Sequence, residues 1–281
     1  MTPRLVLVAT PLGNMTDLSP RAVETLASAD VIACEDTRRT GNLLSLAGVA
    51  PRRLLAVHEH NEAEMAEEIV AHLRAGATVA LVSDAGMPVI SDPGARVVRA
   101  VVDAGFEVSV VPGPSAAVSA VAVSGLPADR WVFEGFLPRK SRGPRLAAVA
   151  METRTMVLYE APHRLVTTLG DLARVCGEDR PVALVRELTK LHEEIWRGSL
   201  REALDLCAER APRGEYVIVV GGAPPPSVSD ELILSALAAS GATAASVAGD
   251  LGVPKNRVYD LVIRSRRPAP ASSPPGLHFG P

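Results

Sequence analysis

Residues 82–98 read VSDAGMPVISDPGARVV, two Ser-Asp-x-Gly turns behind an apolar run, with no basic residue before Arg96. A phosphate cradle joins glycine amides to a helix N-terminus and usually a lysine, because its guest is an anion. Here carboxylates stand instead. Asp84 and Asp92 suit a guest with hydroxyls, an ammonium or a sulfonium, and they repel a nucleotide phosphate. The second copy, Ser91-Asp92-Pro93-Gly94, opens the run ARVVRAVVDAG and reads as a helix start with Asp92 as N-cap and Pro93 at the first position. The first copy opens no helix, so Asp84 is the contact candidate.

Other short stretches carry similar chemistry. TPLGN at 10–14 is an ordinary turn by itself, although Gly13 permits a close backbone approach. CEDTRRT supplies Glu35, Asp36, Arg38 and Arg39, which read equally well as a helix cap with a solvated basic face or as acid and base beside an anionic substrate. HEHNE at 58–62 lacks the i, i+4 spacing of a helical zinc motif, so no metal site is expected. PGPSA at 112–116 leaves room for a flat ring. FLPRK, YEAPHR and RELTKLHEE place Arg139, Lys140, Arg142, Arg145, His163, Arg164 and Lys190 together as a basic rim for a phosphate-bearing partner.

The elements that position these stretches follow from periodicity. RLVLVA, DVIAC, RLLAV, TVALV and EVSVV alternate with helix-length amphipathic segments, the pattern of a parallel or mostly parallel sheet with helices on its faces. From Trp131 the pattern restarts with WVFEGF, TMVLYE, PVALVRE, EEIWRG and EYVIVVGG, separated by helices near 141–152, 161–175 and 199–210. Ligands of such sheets gather at the carboxyl ends of strands, where the loaded loops fall. After a Pro-rich linker at 223–227, three short helices with Gly252-Val253-Pro254 between the last two resemble a helix-turn-helix unit. The expected domains are 1–113, 114–222 and 228–264, with a disordered tail at 265–281.

Composition narrows the class. The 281 residues are 47% hydrophobic and 22% charged, enough for two ordinary domains with sizeable cores. Three scattered cysteines, Cys34, Cys176 and Cys207, indicate neither a disulfide framework nor a zinc site. No signal peptide or membrane span is read, so a cytoplasmic address is expected. A net charge of −3 argues against non-specific coating of nucleic acid but leaves room for a local basic patch.

Taken together, ATPLGNMTDLSPRA, CEDTRRT, HEHNE, SDAGMPVISDPG, PGPSA, FEGFLPRK, YEAPHR and RELTKLHEE resemble the ribosomal RNA small subunit methyltransferase I family, of the tetrapyrrole-methylase class. The resemblance runs in order over residues 3–221 and is weaker over 228–264. It implies an α/β fold of two α/β domains with the cofactor cleft between them plus a small C-terminal helical module. It further implies an S-adenosylmethionine-dependent, homodimeric enzyme that 2′-O-methylates a cytidine ribose in 16S rRNA of the small ribosomal subunit. Asp84 and the backbone at Met87 would then contact S-adenosylmethionine. Ser115 and Ala116 would approach its methionine end, and Leu12, Gly13 and Asn14 would border the methyl group. Tyr159, Glu160, Arg186 and Gly214 would close over the adenosine. Met87 stands where the family pattern has threonine, which removes a hydroxyl from that loop. Glu35 and Asp36 are the first candidates for a general base, with Lys190 and Glu187 next. Arg38, Arg39, Arg139, Lys140, Arg142, Arg145, His163 and Arg164 are the candidates for holding RNA. Two rivals stay open: a tetrapyrrole (corrinoid) methyltransferase of the same fold, marked by copurifying porphyrin-like absorbance, and a non-catalytic RNA-binding adaptor, marked by failure to bind S-adenosylmethionine.

Overall fold

The structure, a computed structural model, describes residues 2–224, 228–238 and 242–265. Residues 225–227 of the expected linker, Arg266, Arg267 and the rest of the expected tail lie outside the described residues.

Five parallel strands form the first sheet: β1 (Arg4–Val8), β2 (Val31–Cys34), β3 (Leu54–Ala56), β4 (Val79–Leu81) and β5 (Glu107–Val111), in the order β3-β2-β4-β1-β5. They are largely apolar because helices cover both faces. Along β1 the faces alternate: Leu5 packs with α3 (Glu62–Arg74) and α4 (Ala95–Asp103), while Val6 and Val8 pack toward α1 (Pro20–Ser28) and α2 (Thr37–Leu46). Ser19 caps α1 ahead of Pro20, the favoured pairing at a helix start.

The strand order reverses direction between β1 and β4. The connection after β1 leads past β4 to β2, and the one after β4 leads past β1 to β5. The two exit loops therefore diverge and leave a crevice, the usual ligand position in an open parallel sheet. They are tied together at its base, since Thr10 N donates to Gly86 O at 2.9 Å and Gly86 N to Thr10 O at 3.1 Å.

The chain crosses to the second sheet at 112–115, and α5 (Ala116–Ser124) packs its Ala117, Ala120 and Val121 on that sheet. β6 (Trp131–Phe136), β7 (Thr155–Glu160), β8 (Pro181–Arg186), β9 (Glu194–Ser199) and β10 (Tyr216–Val220) run in the order β6-β7-β10-β8-β9. α6 (Gly143–Met151), α7 (Pro162–Cys176) and α8 (Leu200–Glu209) cover the face opposite α5. A mostly parallel sheet does not recur here. Only β6 and β7 are parallel, because β8 and β9 join through the turn 187–193 with no crossover helix and β10 inserts antiparallel to both neighbours.

A second compact unit begins at Pro224. Its helices α9 (Asp230–Ala238), α10 (Ala244–Asp250) and α11 (Lys255–Ser265) meet through Ile233, Val247, Val258 and Leu261. Arg257 donates to Val228 O and Asp230, both at 2.6 Å, so this cation closes the bundle. Among the described residues, no helix is long and apolar enough to cross a membrane.

Candidate functional site

A cavity of about 490 Å³ opens between the loops after the first-sheet strands and the edge of the second sheet where β6, β7 and β8 end and β10 begins. The first-sheet loops supply Leu12, Met87, Ile90 and Asp92, and the crossing supplies Ser115 and Ala116. From the second sheet come Phe136, Tyr159, Glu160, His163, Leu188, Lys190 and Glu215. Gly86 has φ of +81°, and a Cβ there would lie 3.1 Å from Leu12 and 3.5 Å from Pro114 O. Only glycine lets the loop pass this close without strain.

Tyr159 is fixed in the wall. Its hydroxyl accepts from Ala117 N at 3.1 Å, which occupies a free N–H of the first turn of α5. Its ring meets Phe133 and Phe136 edge-on at 5.0 and 5.6 Å. Glu160 beside it is buried, accepting from Ala161 N at 2.9 Å and Thr168 Oγ1 at 2.6 Å, with Arg164 Nε at 3.4 Å. Among the cofactor candidates, Leu12, Met87, Ser115, Ala116, Tyr159 and Glu160 thus share one cavity.

The remaining cofactor candidates lie behind or beside that wall. A Cβ on Gly13 would sit 2.2 Å from Lys190 Cγ, so the glycine makes room for the lysine stem. Asn14 accepts from Thr16 N at 3.1 Å and caps the turn Met15–Asp17. Gly214, at φ +79°, packs on the Glu187 carboxyl. Arg186 points to the opposite face of β8, where it donates to Arg213 O at 2.7 Å and Glu194 at 3.3 Å; alternation along the strand puts Val185, not Arg186, on the cavity. Asp84 accepts from Arg39 at 3.1 Å through Oδ2, and its buried Oδ1 has no partner among the described residues.

The four candidate bases divide. Asp36 is the N-cap of α2, accepting from Arg38 N at 2.8 Å, and the Arg38 guanidinium at 2.9 Å helps hold its carboxyl down at about 2. Lys190 donates to Glu187 at 3.0 Å and Glu215 at 2.8 Å. Burial works against its charge, but these carboxylates outweigh burial and raise its pKa. Burial likewise opposes the Glu187 charge, and Lys190 with the Glu215 N–H brings its pKa below the ordinary value. Glu35 is pushed up, by burial first and then by the Asp84 charge, but it stands off the cavity wall.

Several cations expected to face RNA are engaged inside the fold. Arg142 binds Asp171 at 2.6 Å and Pro138 O at 3.2 Å, and Arg164 donates to Leu137 O at 2.6 Å besides contacting Glu160. Arg145 pairs with Glu134 at 2.7 Å. Arg38 and Arg39 are exposed but paired with Asp36 and Asp84. Arg139, Lys140 and His163 are exposed, His163 at the cavity edge.

Asp92 is a correction. The N-cap of α4 is Gly94, and Glu62 performs the capping from the start of α3, its Oε1 accepting from Gly94 N at 3.0 Å and Arg96 N at 2.7 Å. Asp92 is left on the cavity wall, where burial and then the Glu35 charge push its carboxyl up to about 6. Phe136, Leu188 and Glu215 are further wall residues that the sequence did not single out; an aromatic closing the strand run WVFEGF was the available signal for Phe136. Among the described residues no group of three or more His, Cys, Asp or Glu is arranged to hold a metal.

A family model described as Tetrapyrrole (Corrin/Porphyrin) Methylases matches residues 4–204. Ribosomal RNA small subunit methyltransferase I of Synechocystis sp. is 46% identical over 272 residues, covering 92% of this chain and 97% of that protein. The protein of the same name from Mycobacterium tuberculosis strain H37Rv is 43% identical over 274 residues, covering 94% and 96%. Among solved structures, the methyltransferase CobJ shares the fold with a TM-score of 0.60 at 22% identity, over 82% of this chain and 98% of that one. Uroporphyrin-III-C-methyltransferase from Thermus thermophilus does so with a TM-score of 0.56 at 24% identity, over 78% and 94%. The chain therefore belongs to the tetrapyrrole (corrin/porphyrin) methylase family, in its ribosomal RNA small subunit methyltransferase I branch.

Proposed function

We propose that the protein is an S-adenosylmethionine-dependent methyltransferase that 2′-O-methylates a cytidine ribose in 16S rRNA of the small ribosomal subunit. The observation that carries this reading is the switch-point cavity lined by Asp92 from the first sheet and by Glu160 and Glu215 from the second, with exposed cations outside it. The relatives, named for methylation of small-subunit ribosomal RNA, support the substrate class.

The residues present fit the cofactor. The buried, unpartnered Asp84 Oδ1 is an acceptor left for a ligand donor, and the close pass at Gly86 would be filled by any Cβ. Leu12, Met87, Ser115 and Ala116 would hold the methionine and methyl end, with Gly13 and Asn14 shaping that loop. Tyr159 and Glu160 would hold the adenosine, supported from behind by Arg186 and Gly214. When bound, S-adenosylmethionine supplies a methyl group already activated by a sulfonium charge. The apolar walls at Leu12, Ile90, Phe136 and Leu188 exclude water, and fixed positioning contributes up to about 7–11 kcal/mol in favourable intramolecular models.

Arg139 and Lys140 are the leading RNA contacts in this reading, with His163 at the entrance. Self-association as a homodimer and a cytoplasmic address belong to the same proposal; exposed Val110 on edge strand β5 and Val118 on α5 support the former. Calorimetry with S-adenosylmethionine, followed by transfer of a labelled methyl group to small ribosomal subunits, tests the reading. Cofactor binding with label on the RNA is expected. Label accepted by a tetrapyrrole but not by RNA contradicts it, as does absence of cofactor binding.

A further inference from the structure

The motif HEHNE at 58–62 finds its use at the start of α3. Asn61, the N-cap residue, turns its side chain back toward β3: its Oδ1 accepts from His58 N at 2.8 Å and its Nδ2 donates to Ala56 O at 3.0 Å. The strand exit and the first turn of α3 are thereby tied together. Glu62, one residue on, is only 8% exposed, and a carboxyl kept from water needs partners. It finds them in another helix, its Oε1 accepting from Gly94 N at 3.0 Å and Arg96 N at 2.7 Å at the start of α4.

One of those two donors is the one that Asp92 would otherwise take. In Ser91-Asp92-Pro93-Gly94 an N-cap aspartate accepts from the N–H two or three residues on, here Gly94 N or Ala95 N. Glu62 occupies the first, α4 starts at Ala95 rather than Pro93, and Asp92 stays on the cavity wall. Gly94 is the joint between the two arrangements. Its φ is 129°, against about −63° in a helix, and glycine reaches both. Val89 and Ser91 before it take φ of 76° and 66°, uncommon for residues with side chains. Such backbone persists only where the surroundings over-determine it. The Thr10–Gly86 pair pins one end of this loop, and Glu62 pins the other.

Resting on the cofactor reading above, we propose that Glu62 is a positioning residue for the cofactor cavity: by taking the Gly94 and Arg96 N–H groups, it keeps Asp92 from capping α4 and holds that carboxyl on the cavity wall. Glu62 itself is not among the residues lining the cavity. Asp92 faces Glu35 and Asp84 as like charges and Tyr159 from β7, and Arg39 is bound to Asp84. A guest with hydroxyls and a positive charge, as S-adenosylmethionine has, meets an acceptor there. With Glu62 cut back, the start of α4 is open and Asp92 turns onto it.

The test compares wild type with Glu62→Ala, Glu62→Gln, Asp92→Asn and the double variant Glu62→Ala/Asp92→Asn, each below its melting temperature. Calorimetry reads S-adenosylmethionine affinity, and carboxyl carbon NMR reads the Asp92 titration. Glu62→Ala is expected to weaken binding by about tenfold or more, whereas Glu62→Gln, whose Oε1 still accepts from both amides, stays within about threefold. Asp92→Asn is expected to weaken binding comparably, and the double variant by no more than about threefold beyond the weaker-binding single variant, because both changes empty the same place. Asp92 is expected to titrate near 6 in wild type and at or below the ordinary 3.8 in Glu62→Ala, where helix N–H groups favour its ionised form. Wild-type affinity in Glu62→Ala overturns the proposal. So does additive weakening in the double variant, which would make Glu62 a general structural residue, and so does an unmoved Asp92 titration. Should Glu62→Ala fail to fold, Gly94→Ala replaces it: a Cβ there lies 2.8 Å from Leu81 at a φ that only the helical alternative relieves, so about a tenfold loss of affinity is expected and full affinity contradicts the proposal. Failure of the underlying reading looks different, since wild type itself would then bind no S-adenosylmethionine.

Discussion

Arg39 Nη1 lies 3.1 Å from Asp84 Oδ2, joining the start of α2 to the loop after β4. The arginine is largely exposed and the carboxylate is not, so the contact adds little to stability and mainly orients Asp84. One oxygen of the acid is thereby used, and the other is left buried without a partner among the described residues.

Asp84→Ala is expected to weaken S-adenosylmethionine binding by at least about tenfold, the equivalent of about 1.4 kcal/mol. Arg39→Ala, which keeps the carboxylate, is expected to stay within about threefold of wild type. Calorimetry decides the matter. Equal weakening in both variants would mean that the ion pair, not the acid, is what the cofactor requires.

The basic residues separate into two groups with different signatures. Removing both Arg139 and Lys140 is expected to weaken RNA binding and flatten its salt dependence by roughly 0.7–0.9 for each phosphate no longer neutralised, with an unchanged melting temperature. Arg142→Ala is expected to cost about 1–3 kcal/mol of stability by leaving Asp171 Oδ2 and Pro138 O without their donor while Arg174 still holds Asp171 Oδ1, with the salt slope unaltered. An unchanged slope in the Arg139/Lys140 variant would make those two residues ordinary solvated surface.

This division could not be read from the chain. Arg142 stands two residues beyond FLPRK and Arg164 ends YEAPHR, as basic in sequence as Arg139 and Lys140, and their acceptors, Asp171 and Leu137 O, become neighbours only when α7 packs beside α6 and on β7. The strands and helices were legible, because apolar periodicity and caps such as Ser19 are local. Strand direction in the second sheet was not, since insertion of β10 between β7 and β8 is a long-range choice. Asp92 misleads for a related reason. Ser-Asp-Pro-Gly satisfies every local rule for a helix start, and only the distant Glu62 takes over the capping.

Asp92 also makes stability depend on pH in a direction opposite to that of an ion-paired aspartate. Its folded value near 6 lies above the ordinary aspartate value of 3.8, so the native state binds the proton more tightly than the unfolded chain. The contribution of this group to stability therefore falls as pH rises between those two values. Asp92→Asn is expected to melt higher than wild type at pH 7.5 and to lose that advantage near pH 4. A variant less stable than wild type at pH 7.5 would show that the ionised carboxylate is compensated in the fold.

The C-terminal helices form a unit of their own beginning at Pro224. A chain ending at Ala223 is expected to keep S-adenosylmethionine affinity within about threefold and to methylate its natural substrate more slowly, with Lys255 and Arg264 as the module's contacts. Arg257 is not among them, being committed to Val228 and Asp230. Full activity of the shortened chain would remove the module from substrate docking.

Mass-spectrometric mapping of ribose methylation along 16S rRNA, in cells with and without an intact gene for this chain and after incubation of the purified protein with unmodified small subunits, tests the central claim most directly. One cytidine carrying a 2′-O-methyl group is expected to lose it when the protein is absent and to regain it in vitro only when S-adenosylmethionine is supplied. An identical methylation map in the presence and absence of the protein would contradict the assignment.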